Sequence, residues 1–291
     1  MRNFGAIVFA AIAPMAVAAA LVAPCAFAAE VADAHASAKA PARVRVAGIV
    51  LKWVRTDKEA NFRRAEALIR EAAEGGAQIV CTTECFLDGY AIADKSIPLD
   101  EYRALGEPIP AGPYFEKLRA LAKELEIHLI AGMLEADGDK RYNTAVVLGP
   151  DGALIGKYRK QELGHELVRN TPGTESPVFE TAHGKVGVMI CADRTEKDIV
   201  RRICGNGADF LICPSGGMFG PRANDPIVQA RSKENGKHIV FVHPVEFLVT
   251  GPDGSVRDVR MLGDKLLVTP EQVGGDEDSR GVFHFELPRP K

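Results

Sequence analysis

The sequence predicts an α/β fold, and three observations predict it. Short apolar runs rich in Val, Ile and Leu alternate with segments whose apolar residues recur at helical spacing, from about Val44 to Leu287. Turn-forming clusters punctuate them, as in Gly75-Gly76 and Gly149-Pro150-Asp151-Gly152. Residues able to do chemistry stand where predicted strands end, the rim at which open α/β sheets bind ligands. A chain of 291 residues is long enough to bury a substantial core. Its net charge of −3, with both signs interspersed, argues against a nucleic-acid or anionic-membrane partner.

The N-terminus reads as separate from this fold. Arg2 precedes an almost wholly apolar stretch, Ile7 to Val22, and Ala26-Phe27-Ala28 has the small residues of a signal-peptidase site. Residues 1–28 are therefore expected to be a secretory signal peptide, the protein exported to the periplasm or secreted, and no membrane span left after processing. An uncleaved membrane anchor is the alternative, because the stretch approaches the length of a short span. Residues 29–42 are Ala-rich and read as a linker, and residues 43–291 as the folded domain. Removal of Cys25 would leave five cysteines, an odd number that keeps at least one thiol outside any intramolecular disulfide. Their spacing contains no CxxC pair and no Cys/His metal-site pattern, and the Cys85 thiol beside Glu84 is expected to stay reduced.

Arg43 to Leu51 alternates and then turns apolar, as a first core strand should. Thr56 to Glu59 has capping-box spacing ahead of a helix carrying Phe62, Ala65, Leu68, Ile69, Ala72 and Ala73, which Gly75-Gly76 stop. Ile79 to Thr83 is a short strand that runs into Glu84. Ile97 to Pro113 reads as loop. Phe115, Leu118, Leu121, Ala122 and Leu125 mark a second helix. His128 to Met133 is a strand in which Gly132 permits close approach of something. Thr144 to Leu148 and Ala153 to Lys157 form a hairpin that delivers Tyr158, Arg159 and Lys160.

Gln161 to Thr174 is polar and irregular, contains Glu162, His165 and Glu166, and closes at Thr171-Pro172-Gly173. Val178 to Thr181 and Val186 to Ile190 are strands, the second ending at Cys191. Thr195 is placed to cap the next helix, with Asp198 as reciprocal partner and Ile199, Val200, Ile203 and Cys204 on its buried face. Phe210 to Cys213 and His238 to Val242 are strands. Asp225-Pro226 reads as the start of the helix between them. Phe247 to Val256 forms a hairpin around a second Gly-Pro-Asp-Gly turn, and strands follow at Leu266 to Thr269 and Val282 to Leu287.

Taken alone, Cys191 reads first as a small buried hydrophobe, Glu84 as an exposed carboxylate and Lys160 as a solvated cation. Together at three strand ends they make chemical sense. A thiol needs a base, and a carboxylate can take its proton. An ammonium can stabilise a thiolate and then a tetrahedral oxyanion.

At these residues the sequence resembles the nitrilase, or carbon–nitrogen hydrolase, superfamily, over nearly everything from Val44 to Leu287. The motifs are Thr83-Glu84-Cys85-Phe86-Leu87-Asp88-Gly89-Tyr90, Gly156-Lys157-Tyr158-Arg159-Lys160, and Gly187 to Thr195 around Cys191. Tyr142 to Gly152 and Gln229 to Asn235 support them. The resemblance implies a four-layer α-β-β-α sandwich, paired as a homodimer or higher oligomer, and no metal or organic cofactor. It implies hydrolysis of an amide-type C–N bond in a small linear amide or N-carbamoyl compound through a cysteine thioester. Glu84, Lys160 and Cys191 would be catalytic, Glu166 would hold the lysine and help position the substrate, and the Ala192 N–H would join Lys160 at the oxyanion.

A nitrilase, an amide-forming acyltransferase or a non-catalytic relative would carry the same constellation. Three features depart from the family, one being a segment between Lys160 and the Pro172-Gly173 turn that is shorter than in many relatives. Ala192 stands where an aromatic or Asn is frequent, and Arg194-Thr195-Glu196-Lys197 replaces the usual continuation. Arg194 matches an arginine that binds the substrate carboxylate in the N-carbamoyl amino acid amidohydrolase branch. An ion pair with Glu196 or Asp198 is its other reading.

Overall fold

The computed structural model describes residues 43–217, 220–262 and 280–290. The segments read as signal peptide and linker, and the strand expected at Leu266 to Thr269, lie outside the described residues. Two sheets carry the fold. The first contains β1 (Arg43–Leu51), β2 (Ile79–Cys81), β3 (Glu107–Pro108), β4 (His128–Asp137), β5 (Lys140–Leu148), β6 (Leu154–Arg159) and β13 (Arg280–Pro288), in the order β13-β1-β2-β4-β5-β6 with β3 beside β4. The second contains β7 (Val178–Thr181), β8 (Gly184–Val188), β9 (Phe210–Pro214), β10 (Ile239–His243), β11 (Glu246–Thr250) and β12 (Val256–Met261), in the order β12-β11-β10-β9-β8-β7.

Helices cover the outer face of each sheet. α1 (Lys58–Glu74) and α3 (Pro113–Glu124) pack Phe62, Leu68, Ile69, Phe115 and Leu118 against Ile49, Val80, Leu129 and Val146 of the first sheet. α4 (Lys197–Gly205) and α5 (Pro221–Asn235) bury Ile199, Val200, Ile203 and Val228 against the second. The inner faces meet through Val46, Val50, Ile79 and Ile130 on one side and Ile212, Val240, Val242 and Phe247 on the other. Each such side chain contributes roughly 1.5–3 kcal/mol by leaving water. The sheets approach so closely that a Cβ on Gly48 of β1 would lie 2.3 Å from the Phe247 ring. The result is the expected α-β-β-α sandwich.

Strand direction positions the site. β1, β2 and β4 are parallel, β5 runs back, and β6 returns in the direction of β4. β8, β9 and β10 are parallel in the second sheet. The segments after β2, β6, β8 and β9 therefore leave carboxyl ends of strands. The Glu84 N–H donates to the Ser215 carbonyl at 3.3 Å, so the carboxyl ends of β2 and β9 meet across the two sheets.

Several local readings shift. Asp57, not Thr56, caps α1, its carboxylate accepting the Ala60 N–H at 2.9 Å. The segment read as loop contains α2 (Leu99–Ala104), whose Asp100 and Glu101 suit a helix N-terminus and whose Tyr102 is buried. Thr195 does not cap α4. Residues 191–195 form a 3₁₀ turn, and the Thr195 hydroxyl donates to the Ala192 carbonyl at 2.8 Å. α5 begins at Pro221, which takes the first-turn proline position and leaves Pro226 inside the helix. No described helix is long and apolar enough to cross a membrane.

Candidate active site

Glu84, Lys160, Glu166 and Cys191 converge at the shared rim, where all four are buried. The exposed or solvated readings of Glu84 and Lys160 therefore do not hold. Lys160 Nζ donates to Glu84 Oε1 at 2.7 Å and to Glu166 Oε1 at 2.6 Å. Burial works against the ammonium, but the charges of Glu166, Glu84 and Cys191 outweigh it and hold Lys160 well above the usual lysine range.

Asn143, on β5, completes this cluster. Its Nδ2 donates to Glu84 Oε1 at 2.7 Å and reaches Glu166 Oε2 at 3.1 Å. Glu166 also accepts from Asn170 at 3.1 Å, and Asn170 in turn accepts from the Tyr102 hydroxyl at 2.6 Å. Glu84 Oε1 is thus doubly engaged, while buried Oε2 has no hydrogen-bond partner.

The backbone at both elbows is special. Cys85 and Cys191 have φ of 45°, in the left-handed region that L residues enter at a cost. Strain of this kind on a strand-to-turn elbow presents a nucleophile. Beneath the Glu84 elbow, a Cβ on Gly132 would lie 2.6 Å from the Thr83 carbonyl and 2.8 Å from the Cys85 nitrogen, so the approach that Gly132 permits is that of the Glu84 backbone. Gly132→Ala is expected to cost about 1–3 kcal/mol of stability by overpacking and to lower turnover by displacing Glu84. Chemical denaturation together with ammonia release measures both.

Asp193 joins the two halves of the site and was not singled out from the sequence. Its Oδ1 accepts the N–H groups of Gln161 at 3.1 Å and Glu162 at 2.7 Å, just after Lys160. Its Oδ2 accepts the Ile190 N–H at 2.9 Å and the Tyr158 hydroxyl at 2.8 Å, just before Cys191 and Lys160. Burial raises this carboxyl to about 6. Since its ordinary value is lower, the fold favours the protonated form, and this group's contribution to stability is full below pH 4 and is lost as pH rises through 6. The stability of the wild type relative to Asp193→Asn should therefore fall between pH 4 and 6, by up to about 3 kcal/mol. Denaturation midpoints of the two proteins across that range test this.

A cavity of about 420 Å³ opens beside Cys191, lined among others by Tyr90, Lys160, His165, Ala192, Arg194 and Asn224. Arg194 is buried, 4% exposed, and its Nη1 donates to Cys191 Sγ at 3.5 Å. Its Nη2 donates to Asn224 Oδ1, its Nε has no hydrogen-bond partner, and its guanidinium stands 5.5 Å from the centre of the Phe241 ring. The ion pair expected as its other reading does not form, since Asp198 pairs with Arg201 instead. Arg231, in the Gln229 to Asn235 motif, donates from Nε to the Arg194 carbonyl at 3.0 Å and fixes this segment. The five described cysteines are unpaired, and Cys204 packs partly buried against the core.

Comparisons with known proteins bear on the family and the fold. The carbon-nitrogen hydrolase family model matches residues 43–264. A nitrilase of Pyrococcus abyssi is 33% identical over 84% of this chain and 90% of its own length. An omega-amidase NIT2 of Xenopus tropicalis is 38% identical over 64% of this chain and 70% of its own. Among solved structures, Nit3 of Saccharomyces cerevisiae, described as a member of branch 10 of the nitrilase superfamily, superposes with a TM-score of 0.70. It has 25% identity and covers 84% of this chain and 90% of that one. These relatives correct the expected location. They are nitrilase and omega-amidase enzymes, none named as an exported or membrane-anchored protein, and the apolar stretch that suggested export lies outside the described residues. The chain is an amidase-type hydrolase of C–N bonds, and it belongs to the carbon-nitrogen hydrolase family of the nitrilase superfamily.

Proposed function

We propose that this enzyme hydrolyses the amide bond of a small linear amide or N-carbamoyl compound whose other end is a carboxylate. The observation that carries this reading is Arg194. Its buried guanidinium lines the cavity next to Cys191 with no carboxylate bonded to it among the described residues. A buried cation bonded to no carboxylate is costly, and a substrate carboxylate supplies one. The name omega-amidase among the relatives fits an amide at the end of such a chain.

In this mechanism Cys191 Sγ, its proton passed to Glu84 Oε2, attacks the carbonyl carbon. Lys160 and the Ala192 N–H hold the oxyanion. The tetrahedral intermediate collapses to a thioester as Glu84 returns the proton to the leaving nitrogen. Water then attacks the thioester, Glu84 accepts its proton, and the acid departs as the proton goes back to sulfur. Glu166, Asn143 and Asn170 keep Lys160 in place throughout.

An ammonia-release screen tests the reading with ω-amides of dicarboxylic acids, N-carbamoyl amino acids, neutral amides and nitriles. Acid-bearing amides are expected to exceed neutral ones of equal length at least tenfold in kcat/KM. Arg194→Met should raise KM for the acidic substrates by roughly 10- to 100-fold, the worth of a charged hydrogen bond. Equal activity on neutral amides would overturn the carboxylate requirement. The relative named nitrilase makes nitrile hydrolysis the second reading, and preferential turnover of a nitrile over its matching amide would establish it.

A further inference from the structure

Arg194 also bears on the nucleophile itself. Lys160 is the cation that the chemistry of the site first suggests for a thiolate, but it already donates to two carboxylates, Glu84 and Glu166. Its positive charge is more than balanced within that cluster. Arg194 is different. Its Nη1 reaches Cys191 Sγ at 3.5 Å, within hydrogen-bonding distance for sulfur, and no carboxylate is bonded to it among the described residues. Glu246 lies near enough to feel the Arg194 charge, but burial and the neighbouring Asp225 push it up to about 8, and no hydrogen bond joins it to Arg194.

Asn224 of α5 holds Nη2, the Arg194 carbonyl is tied to Arg231, and the Phe241 ring lies beneath the guanidinium. A guanidinium fixed in this way, away from water and against sulfur, favours negative charge there. The proton released by the thiol has a destination within the same site, the unpartnered Glu84 Oε2. Transfer from Sγ to Oε2 conserves the net charge of the cluster and moves one negative charge from the Lys160 side to the Arg194 side.

We propose that Arg194 is the counter-ion of the Cys191 thiolate in the substrate-free enzyme, distinct from any part it plays in holding a substrate carboxylate. This role needs no acidic substrate, so it stands or falls separately from the substrate class proposed above.

The experiment follows alkylation of Cys191 in the folded full-length protein at pH 7, read from the Cys191 peptide by mass spectrometry, with neutral iodoacetamide and anionic iodoacetate. In each reaction the thiolate displaces iodide and forms a thioether. Arg194→Met is expected to slow the iodoacetamide reaction at least tenfold, with Arg194→Lys retaining part of the rate and added guanidinium ion restoring part of it in Arg194→Ala. A rate within twofold of wild type in folded Arg194→Met overturns the proposal, even if its iodoacetate reaction is slowed, because that pattern describes an anion anchor alone. If Arg194→Met does not fold, Arg194→Lys decides, since its shorter chain cannot keep the sulfur contact. Slowing with iodoacetamide by threefold or more supports the counter-ion role, and an unchanged rate overturns it.

Discussion

Replacing Cys191 by alanine is expected to abolish ammonia release while the protein stays folded. The loss should be on the order of 10⁴-fold or more, as when the nucleophile is removed from other acyl-transfer sites. The thiol is 6% exposed and touches the cavity, so its removal takes away the attacking atom and little packing. The strained φ of 45° at this position is kept by the β8 strand before it and the Asp193 hydrogen bonds around it, neither of which involves the sulfur. The protein is therefore expected to stay folded, with any loss of stability reporting the Arg194 guanidinium left without its sulfur partner. Steady-state assays on a cleavable amide, with a thermal unfolding curve on the same sample, read both. Substantial turnover by a folded Cys191→Ala protein would exclude the thioester route.

The second large effect is expected at Lys160. In Lys160→Met the apolar stem is replaced and the charge removed, leaving Glu84 and Glu166 buried together with only Asn143 and Asn170 as donors. Breaking a buried ion pair from one side costs roughly 3–5 kcal/mol, because the remaining charge is stranded away from water. Loss of an oxyanion donor adds at least ~10²-fold in kcat. The double variant Lys160→Met with Glu166→Gln should regain part of the stability, since it removes one stranded charge, but not the activity. Equal stability of the single and double variants in denaturant titrations would show that Glu166 does not depend on the lysine.

The chemical residues were legible because strand ends are legible. An apolar β run that stops at a polar residue marks a rim position, as before Glu84 and Cys191, while Lys160 was placed by the hairpin whose return strand delivers it. Asn143 carried a weaker signal. It is the one amide in the otherwise apolar run of β5 after Tyr142, and nothing local says that its side chain faces two carboxylates. Asp193 was hidden in the same way, since an acid two residues past a cysteine reads as a helix-start charge. Its four partners come from two separate segments, Tyr158 to Glu162 and the Ile190 strand end.

Capping failed for a related reason. Thr195 has the residue type and spacing of a cap, yet the Cys191 elbow consumes the following residues in a 3₁₀ turn and delays α4 to Lys197. Local preference lost there to the geometry of the Cys191 elbow.

Gly173 marks the division between the two levels. The Pro-Gly turn is visible in the sequence, but the need for glycine is tertiary. A Cβ there would lie 2.2 Å from the Arg159 carbonyl, while the Gly173 N–H donates to the Lys160 carbonyl at 2.8 Å. By itself the sequence determined the α/β class, the strand ends and the candidate reacting groups, because hydrophobic period and turn chemistry are local properties. Only the tertiary structure decided that Glu84 keeps one oxygen free, that Asp193 ties the lysine segment to the cysteine segment, and that Arg194 turns into the cavity onto sulfur. Those outcomes depend on burial and on partners far away in the chain, and a side chain's charge and direction follow from what surrounds it once the sheets have closed.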